Sequence, residues 1–342
     1  MRKTKAILYA FLAAIFYAIN VPFSKVLLKE VGPTTMAAYL YLGAGIGVGI
    51  LSFVNKKHRS QSEPLSKTDL PYVIGMILLD ILAPIFLMLG IHYGSSSNAS
   101  LLGNFEIVAT SLIALIVFKE AVSKRLWFAI GLITVSSILL SFESVESFQF
   151  SYGSLFVLLA TICWGFENNC TRNISNKSTY DIVILKGIFS GLGSLTIAWI
   201  LKEGFSNVTC IFAALLLGFV AYGLSIFLYV RAQSVLGAAK TSAYYAIAPF
   251  VGAFLSFVFL QENISKMYVI ALIVMIVGSV LVVVDTLVKN HDHIHQHTFS
   301  HNHDGRWHTH TIVHSHKHNH YIRQDNHGHH HSLKELEAEI NR

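Results

Sequence analysis

Charged residues are scarce in this sequence. Asp, Glu, Lys and Arg make up 13% of its 342 residues, whereas they make up about a quarter of a typical soluble domain. Hydrophobic residues make up 53% of the chain, and its mean hydropathy is +0.55. Apolar runs of roughly 20 residues, long enough to cross the core of a bilayer, recur along its length. This composition predicts a polytopic membrane protein surrounded by lipid.

Cysteines and catalytic motifs are also scarce. Three cysteines are too few for a disulfide framework, and Cys163 and Cys170, seven residues apart, are interpreted as small apolar residues on one helix face. The sequence has no GxSxG, HExxH, Walker or paired-cysteine motif, so it indicates neither catalytic residues nor ATP drive. An intramembrane enzyme with Asp80, Glu106 and His92 as acid/base groups is the weaker alternative.

Ten hydrophobic segments predict ten transmembrane helices. The first segment continues past any small-residue cleavage site, which favours a membrane helix over a signal peptide. The predicted spans are Ala6–Leu28, Thr34–Val54, Leu70–Ile91, Asn98–Phe118, Leu126–Phe142, Ser154–Cys170, Asp181–Leu201, Thr209–Val230, Ala239–Phe259 and Met267–Val288.

The distribution of Lys and Arg predicts the orientation of these spans. With the N-terminus in the cytoplasm, the cytoplasmic segments that precede the tail hold 14 Lys and Arg residues and the outer segments hold four. This asymmetry follows the positive-inside rule. We therefore predict an inner or plasma membrane protein with both termini in the cytoplasm. The net charge of +6 then reflects topology and does not indicate nucleic-acid binding.

The two halves of the chain resemble each other. AAIFYAIN matches ATICWGFE at an offset of 147, and ASLLGNFEIVATSLIALIVFKEAVSK matches TSAYYAIAPFVGAFLSFVFLQENISK at an offset of 142, which aligns Glu120 with Glu262. Each half has five spans, an odd number, so the second half inserts inverted, as in many secondary transporters. We predict an all-α protein with a first repeat over 6–142, a second over 152–288 and a tail over 289–342.

Three stretches resemble the drug/metabolite transporter superfamily, in its EamA-type ten-helix branch. They are WGFENNCTRNIS, LGAAKTSAYYAIAPFVGAFLSFVFLQE and NFEIVATSLIALIVFKE. The resemblance covers residues 6 to about 288, and it implies export or exchange of a small metabolite without naming it. The first half departs from the second, since Glu106 and Ile107 stand where the second half has Ala248 and Pro249.

Polar residues within the predicted spans are the candidate site, because they are costly in a bilayer and often mark transport pathways. Glu106 could bind a cation or an amine or carry a proton, and Lys186 could neutralise a carboxylate. Asp80 is a further candidate, and interhelical bonds that only hold the bundle together are the alternative. The predicted substrate-binding residues line a polar cavity and are Asn20, Glu106, Trp164, Glu167, Asn168, Lys186, Tyr244 and Tyr245. Trp164, Tyr244 and Tyr245 are the predicted aromatic walls of this cavity.

Two other patterns predict packing. Gly43, Gly45, Gly47 and Gly49 occur at two-residue spacing and indicate close contact between helices. Glu120 and Glu262 stand at predicted helix ends, where we expect them to cap a helix or to form a pair.

Histidine is concentrated in the tail, which holds 16 of the 18 histidines. Alternating His with few apolar residues cannot pack a core, so we predict a disordered cytoplasmic tail. Imidazole suits Zn²⁺, Ni²⁺, Co²⁺ and Cu²⁺, and SLKELEAEINR at the end predicts a short amphipathic helix. The predicted metal ligands are His291, His293, His295, His297, His301, His303, His308, His310, His314, His316, His318, His320, His327, His329, His330 and His331.

Together these patterns predict a secondary transporter of a small solute, a metabolite such as an amino-acid-like compound, with a metal-binding tail and no required cofactor. The alternatives are a transition-metal transporter for Ni, Co or Zn and a membrane-anchored metal buffer or sensor. The spans contain few His, Cys or Met residues, which argues against a metal substrate. The predicted partners are the small-molecule substrate and the bilayer, and a homodimer is left open.

Overall fold

The helices and strands of the chain are given by a computed structural model. The structure describes residues 3–54, 65–118, 123–144, 149–174, 177–204, 206–236, 241, 244–287, 289–303 and 306–320. The chain forms two compact units, Met1–Val283 and Val284–Arg342.

Among the described residues of the first unit, the regular elements are helical apart from two short strands. Its first half contains α1 (Lys3–Ala18), α2 (Asn20–Leu27), α3 (Pro33–Val54), a 3₁₀ turn (Lys67–Asp69), α4 (Leu70–Tyr93), α5 (Ser96–Leu102), α6 (Phe105–Phe118) and α7 (Lys124–Ser141). An antiparallel pair, β1 (Phe142–Ser144) and β2 (Gln149–Phe150), connects the halves. The second half contains α8 (Tyr152–Asn173), α9 (Thr179–Leu185), a first π turn (Lys186–Ser190), α10 (Gly191–Ile200), α11 (Val208–Gly218), a second π turn (Phe219–Leu224), α12 (Ser225–Leu236), α13 (Ala248–Leu260) and α14 (Lys266–Leu287).

Helices of the described residues fall at all ten predicted spans, and the prediction of a helical membrane protein is confirmed. Eight spans are long and apolar enough to cross a membrane. The other two are α8, which carries polar residues such as Glu167 and Asn168, and α13, whose described helix has 13 residues. The described helix α13 begins at Ala248, whereas the predicted span begins at Ala239, and part of the segment between them lies outside the described residues.

The surface of the bundle is apolar where a membrane would surround it. Large side chains such as Phe53, Ile116 and Trp199 are more than two-thirds exposed. Several polar side chains are instead buried, among them Asn20 and Asp80. A bundle that is apolar outside and locally polar inside matches a hydrocarbon solvent, because lipid cannot hydrogen-bond a polar side chain.

Helix α3 packs closely against the second half through its glycines. A Cβ added to Gly45 would lie 2.8 Å from the backbone nitrogen of Ile188, and one added to Gly43 would overlap the carbonyl oxygen of Leu215. A Cβ at Gly47 would overlap the ring of Phe219, whereas one at Gly49 would meet nothing within 4 Å. Three of the four glycines therefore permit close helix contact, as expected for small residues in membrane helices.

The successive spans run in alternating directions, so the bundle has two ends. Of the described residues, the turns that follow α2, α4, α10 and α13 and the β1–β2 pair between α7 and α8 lie at one end, here called the distal end, and α1 begins at the opposite end. The Lys25 ammonium confirms that two of these connections are adjacent, because it donates to the carbonyl oxygens of Ile91 (2.5 Å) and Gly94 (2.8 Å).

The tail differs from the prediction of disorder over part of its length. Lys289–His303 (β3) pairs antiparallel with Arg306–His320 (β4). The physical reason is the alternation of residues at a period of two, which suits a strand as well as a disordered chain. The predicted C-terminal helix and the four histidines from His327 to His331 lie outside the described residues.

Candidate functional site

A buried ion cluster links three helices at the centre of the bundle. The Lys186 Nζ lies 3.0 Å from the Oδ2 of Asp80 and 3.0 Å from the Oε1 of Glu167. The Asp80 side chain is 0% exposed, that of Glu167 is 4% exposed and that of Lys186 is 15% exposed. The Thr171 hydroxyl also donates to Glu167. One ammonium therefore bridges two carboxylates that the bundle shields from solvent.

A chain of aromatic and amide groups extends from Asp80. The Tyr41 hydroxyl donates to the Oδ1 of Asp80 at 2.8 Å, and its ring lies 5.3 Å from the ring of Tyr222. The Tyr222 hydroxyl accepts a hydrogen bond from the Asn20 amide at 3.1 Å. Asn20 in turn accepts one from Ser24 at 3.1 Å. These contacts fix the orientation of Asp80 and Asn20 within one connected network.

A third carboxylate, that of Glu106, lies in a separate hydrogen-bonded pair. The Asn168 amide donates to its Oε1 at 2.6 Å and lies 3.4 Å from the Thr110 hydroxyl. Glu106 is the eleventh residue of the 22-residue span that begins at Ser96, and Asp80 is the eleventh of the 24 residues of α4. Both carboxylates therefore lie near the middle of their spans, at the depth where secondary transporters bind substrate.

The two π turns of the second half carry one residue of the ion cluster and one residue of the network attached to it. Lys186 begins the first π turn, and Tyr222 lies within the second. A π turn inserts an extra residue into a helix and often marks a functional site, since it rotates the following side chains. Both turns pack against α3. A Cβ on Gly187, beside Lys186, would lie 2.5 Å from the Cα of Gly45, so only small residues permit this approach.

The predicted aromatic residues are distributed unevenly around the cluster. Tyr245 lies in an aromatic group with Tyr17 and Tyr229, with ring centroids 5.9 and 5.2 Å away, and Tyr17 also contacts Tyr222 at 5.9 Å. Trp164 is buried in the hydrophobic core one turn before Asn168 on α8.

Tyr244 lies beside Phe11, with ring centroids 5.2 Å apart. Of the eight predicted residues, the structure joins Asn20, Glu167 and Lys186 in one network and pairs Glu106 with Asn168. Ring contacts through Tyr17 extend this network to Tyr245.

Tyr41 and Tyr222 are absent from the predicted residues, and Asp80 stands outside the main predicted set. Asp80 can be recognised in the sequence as a charged residue within an apolar span. Its partner Lys186 is 106 positions away, so no local pattern distinguishes Asp80 from the other candidates. The two tyrosines are among 14 in the chain. Nothing in their local sequence separates them from tyrosines at the membrane surface, because their role comes from the π turn and from α3.

The bonds that define the site connect the two halves of the chain. Asp80, Glu106 and Asn20 come from the first half, and they contact Lys186, Asn168 and Tyr222 of the second. Among the described residues of the helical bundle, no three His, Cys, Asp or Glu side chains are grouped so that they could hold a metal ion. The site is therefore a polar interface between the repeats, rich in carboxylate.

Comparison with known proteins agrees with this architecture. A family model described as the EamA-like transporter family matches residues 4–142 and 151–284, one match in each half. The chain belongs to the EamA-like transporter family.

Two relatives of this EamA-like protein carry the name of transporters. An uncharacterized transporter of Methanothermobacter thermautotrophicus is 25% identical over 296 residues, which cover 81% of this chain and 86% of the relative. The uncharacterized transporter YyaM of Bacillus subtilis is 24% identical over 265 residues, covering 72% and 83% of the two chains. A solved crystal structure is 16% identical with a TM-score of 0.60, and the match covers 81% of this chain and 94% of the other.

These findings support a multi-pass membrane transporter of a small solute. The two matched halves confirm the predicted resemblance, and with five spans in each half the second half is inverted relative to the first. The likeness to the solved structure supports the fold alone.

Proposed function

We propose that this EamA-like protein is a secondary transporter that moves a small organic solute bearing an amino group by alternating access. The observation that carries the proposal is the charge of the site. Asp80, Glu106 and Glu167 supply three carboxylates at the interface of the halves, and Lys186 supplies one ammonium. An unbalanced buried carboxylate is costly in a medium of low dielectric constant, so a cation or a proton stabilises it.

Glu106 is the group best placed to contact the solute. Lys186 contacts both other carboxylates, while the hydrogen bond that Glu106 accepts comes from the neutral amide of Asn168. A protonated amine would neutralise Glu106, and a carboxylate on the same solute would be attracted to Lys186. This arrangement supports a zwitterionic, amino-acid-like solute over a simple anion.

Two features count against the alternative functions. A transition-metal substrate would need a group of His, Cys or carboxylate ligands within the bundle, and the described residues of the bundle contain no group of three. An intramembrane enzyme based on His92 would need it near Asp80. The two residues are twelve positions apart on α4, about 18 Å along the helix.

A binding measurement on the purified full-length protein tests the solute class. Amines, amino acids, monocarboxylates and divalent metals are each added, and the melting temperature is recorded. Amines or amino acids are expected to raise the melting temperature of the native protein, and Glu106→Gln is expected to remove that shift. Glu30→Gln, at an exposed residue of the distal end, is the matched control. Stabilisation by monocarboxylates or metals alone would contradict the proposal.

We also propose that the tail binds a divalent transition metal ion. Its strand register pairs His291 with His318, His293 with His316 and His295 with His314. His301 pairs with His308 in the same way. The six histidines of β3 all occupy odd positions and the six of β4 all occupy even positions, and the register pairs odd positions with even ones. Alternate residues of a strand share a face. Directly opposed residues have Cβ atoms about 5 Å apart, a spacing that suits two imidazoles on one ion.

An exchange of neighbouring residues tests this tail proposal without changing composition. The variant H293I/I294H/H295Q/Q296H moves two histidines to the other face, while I312V/V313I moves none and is the control. Titration of the full-length protein with Zn²⁺ or Ni²⁺ should show weaker or fewer sites in the first variant alone. Equal binding by both would contradict the ribbon site, and no binding by the native tail would contradict metal binding itself.

A further inference from the structure

Glu203 joins the two halves of the bundle at the distal end. It follows α10 in the second half, and its Oε1 accepts a hydrogen bond from the backbone nitrogen of Thr34 at 3.1 Å. Its Oε2 accepts from the backbone nitrogen of Thr35 at 2.8 Å and from the Thr35 hydroxyl at 2.7 Å. Thr34 and Thr35 lie in the first turn of α3, in the first half. The carboxylate therefore binds the N-terminus of a helix in the other half.

Glu262 makes the same set of bonds at a second place. It follows α13, and its two oxygens accept from the backbone nitrogens of Ser96 at 2.6 Å and Ser97 at 2.8 Å. The Ser97 hydroxyl donates to it at 2.5 Å. Ser96 and Ser97 begin the fourth span, again in the first half. Two glutamates of the second half thus bind two helix N-termini of the first.

An unusual backbone conformation precedes each glutamate. Lys202 has φ of 57° and Gln261 has φ of 50°, and they are the non-glycine residues with positive φ among those that the structure describes. A side chain in this left-handed region is disfavoured, and such residues persist where the surrounding structure imposes them. Both residues lie at the C-terminal end of a helix, where a left-handed residue is a common way to end it. The same helix ending therefore immediately precedes both glutamates.

These bonds are of the strong kind. A carboxylate at a helix N-terminus interacts with the positive end of the helix dipole as well as with the amide hydrogens. Each glutamate has three such bonds, and both glutamates lie at the same end of the bundle. The halves cannot separate at the distal end without breaking both sets.

We propose that Glu203 and Glu262 are two latches that hold the distal end closed and that both open together when the site faces that side. The inference rests on the proposed alternating access, in which one half moves against the other around a fixed site. The two glutamates are positioning residues, because they set the balance between closed and open states without contacting the solute.

Amide hydrogen exchange on the full-length protein separates latches from local helix caps. Both carboxylate oxygens of Glu203 accept hydrogen bonds, and Glu203→Gln replaces one of them by an NH₂ group that cannot accept. The amides of Thr34 and Thr35 should therefore exchange roughly tenfold faster. Glu262→Gln should have the same effect on Ser96 and Ser97.

The decisive observation is the effect on the other latch. Shared opening predicts that Glu203→Gln also accelerates exchange at Ser96 and Ser97, and that Glu262→Gln accelerates it at Thr34 and Thr35. Glu30→Gln, a change of the same charge at an exposed residue of this end, should accelerate neither. If each substitution affects its own helix only, the glutamates are independent caps and the proposal is overturned.

Reversible cross-linking supplies a second readout in a background without the three native cysteines. E262C/S97C is joined by a short bifunctional thiosulfonate and later released with reductant. Solute transport should stop on cross-linking and return on reduction. Transport that continues through a closed cross-link would overturn the latch at Glu262. If the native protein transports no solute either, the proposed function fails, and the exchange experiment still decides whether the latches open together.

Discussion

Removing the ammonium of Lys186 should destabilise the protein more than removing it together with one of its carboxylate partners. Lys186→Met leaves Asp80 and Glu167 as neighbouring carboxylates with 0% and 4% exposure and without the cation that lies 3.0 Å from each. Breaking a buried ion pair by removing one partner costs about 3–5 kcal/mol, because the other charge remains unpaired. We expect a loss in that range.

The compensating variant is Lys186→Met with Asp80→Asn. It removes one positive and one negative charge, and the new amide can still accept the hydrogen bond from Tyr41. The double variant should therefore recover about 2 kcal/mol or more of the loss, a coupling of the size found for residues in contact. Reversible unfolding by SDS in mixed micelles measures all four members of this cycle.

Additive losses would refute the reasoning. If the double variant loses the sum of the two single losses, Lys186 and Asp80 do not stabilise each other, and the ion cluster is not the organising feature of the site. A control at the exposed Glu30, substituted by Gln in the same background, should leave the unfolding free energy within about 0.5 kcal/mol of the parent.

Three further predictions follow from the packing, the topology and the tail. Gly45→Ala should lower the melting temperature, because its Cβ would lie 2.8 Å from a backbone nitrogen, while Gly49→Ala should not, since nothing lies within 4 Å. A reporter active only in the cytoplasm should be active when fused after Arg342 and inactive within Ser144–Phe150, and the reverse pattern would contradict the orientation. Removal of residues 291–342 should leave transport in place with an altered response to metal, and loss of all transport in metal-free buffer would contradict this.

The sequence was sufficient for the membrane spans because hydropathy acts locally. A run such as Leu70–Ile91 must be helical in lipid, since no other arrangement of one segment satisfies its backbone, and α4 extends over Leu70–Tyr93. The polar span α8 was still found because its polar residues follow a long apolar run. The alternation of the tail, in contrast, fits both a disordered chain and a strand, and only the pairing of β3 with β4 decides between them.

The site was predictable only in part, because its contacts join distant positions. An ionisable side chain within an apolar span is costly in free energy, and this can be recognised from the sequence of that span alone. Glu106, Glu167 and Lys186 could therefore be selected without knowledge of their partners. The placement of Tyr222 depends on a π turn, which no hydropathy pattern encodes. The hydrogen bonds between Glu203 and the first turn of α3 join residues almost 170 positions apart. No local sequence pattern predicts them.

Transport of a radiolabelled amino acid or small amine into proteoliposomes, driven by counterflow of the same solute, tests the central claim most directly. The native protein should accumulate the label to saturation. Glu106→Gln should abolish accumulation while remaining folded in the membrane, because it keeps the size of the side chain and removes the charge that the amine needs. Glu30→Gln should transport as the native protein does. Accumulation by Glu106→Gln at the native rate would contradict the assignment of the site between the two repeats.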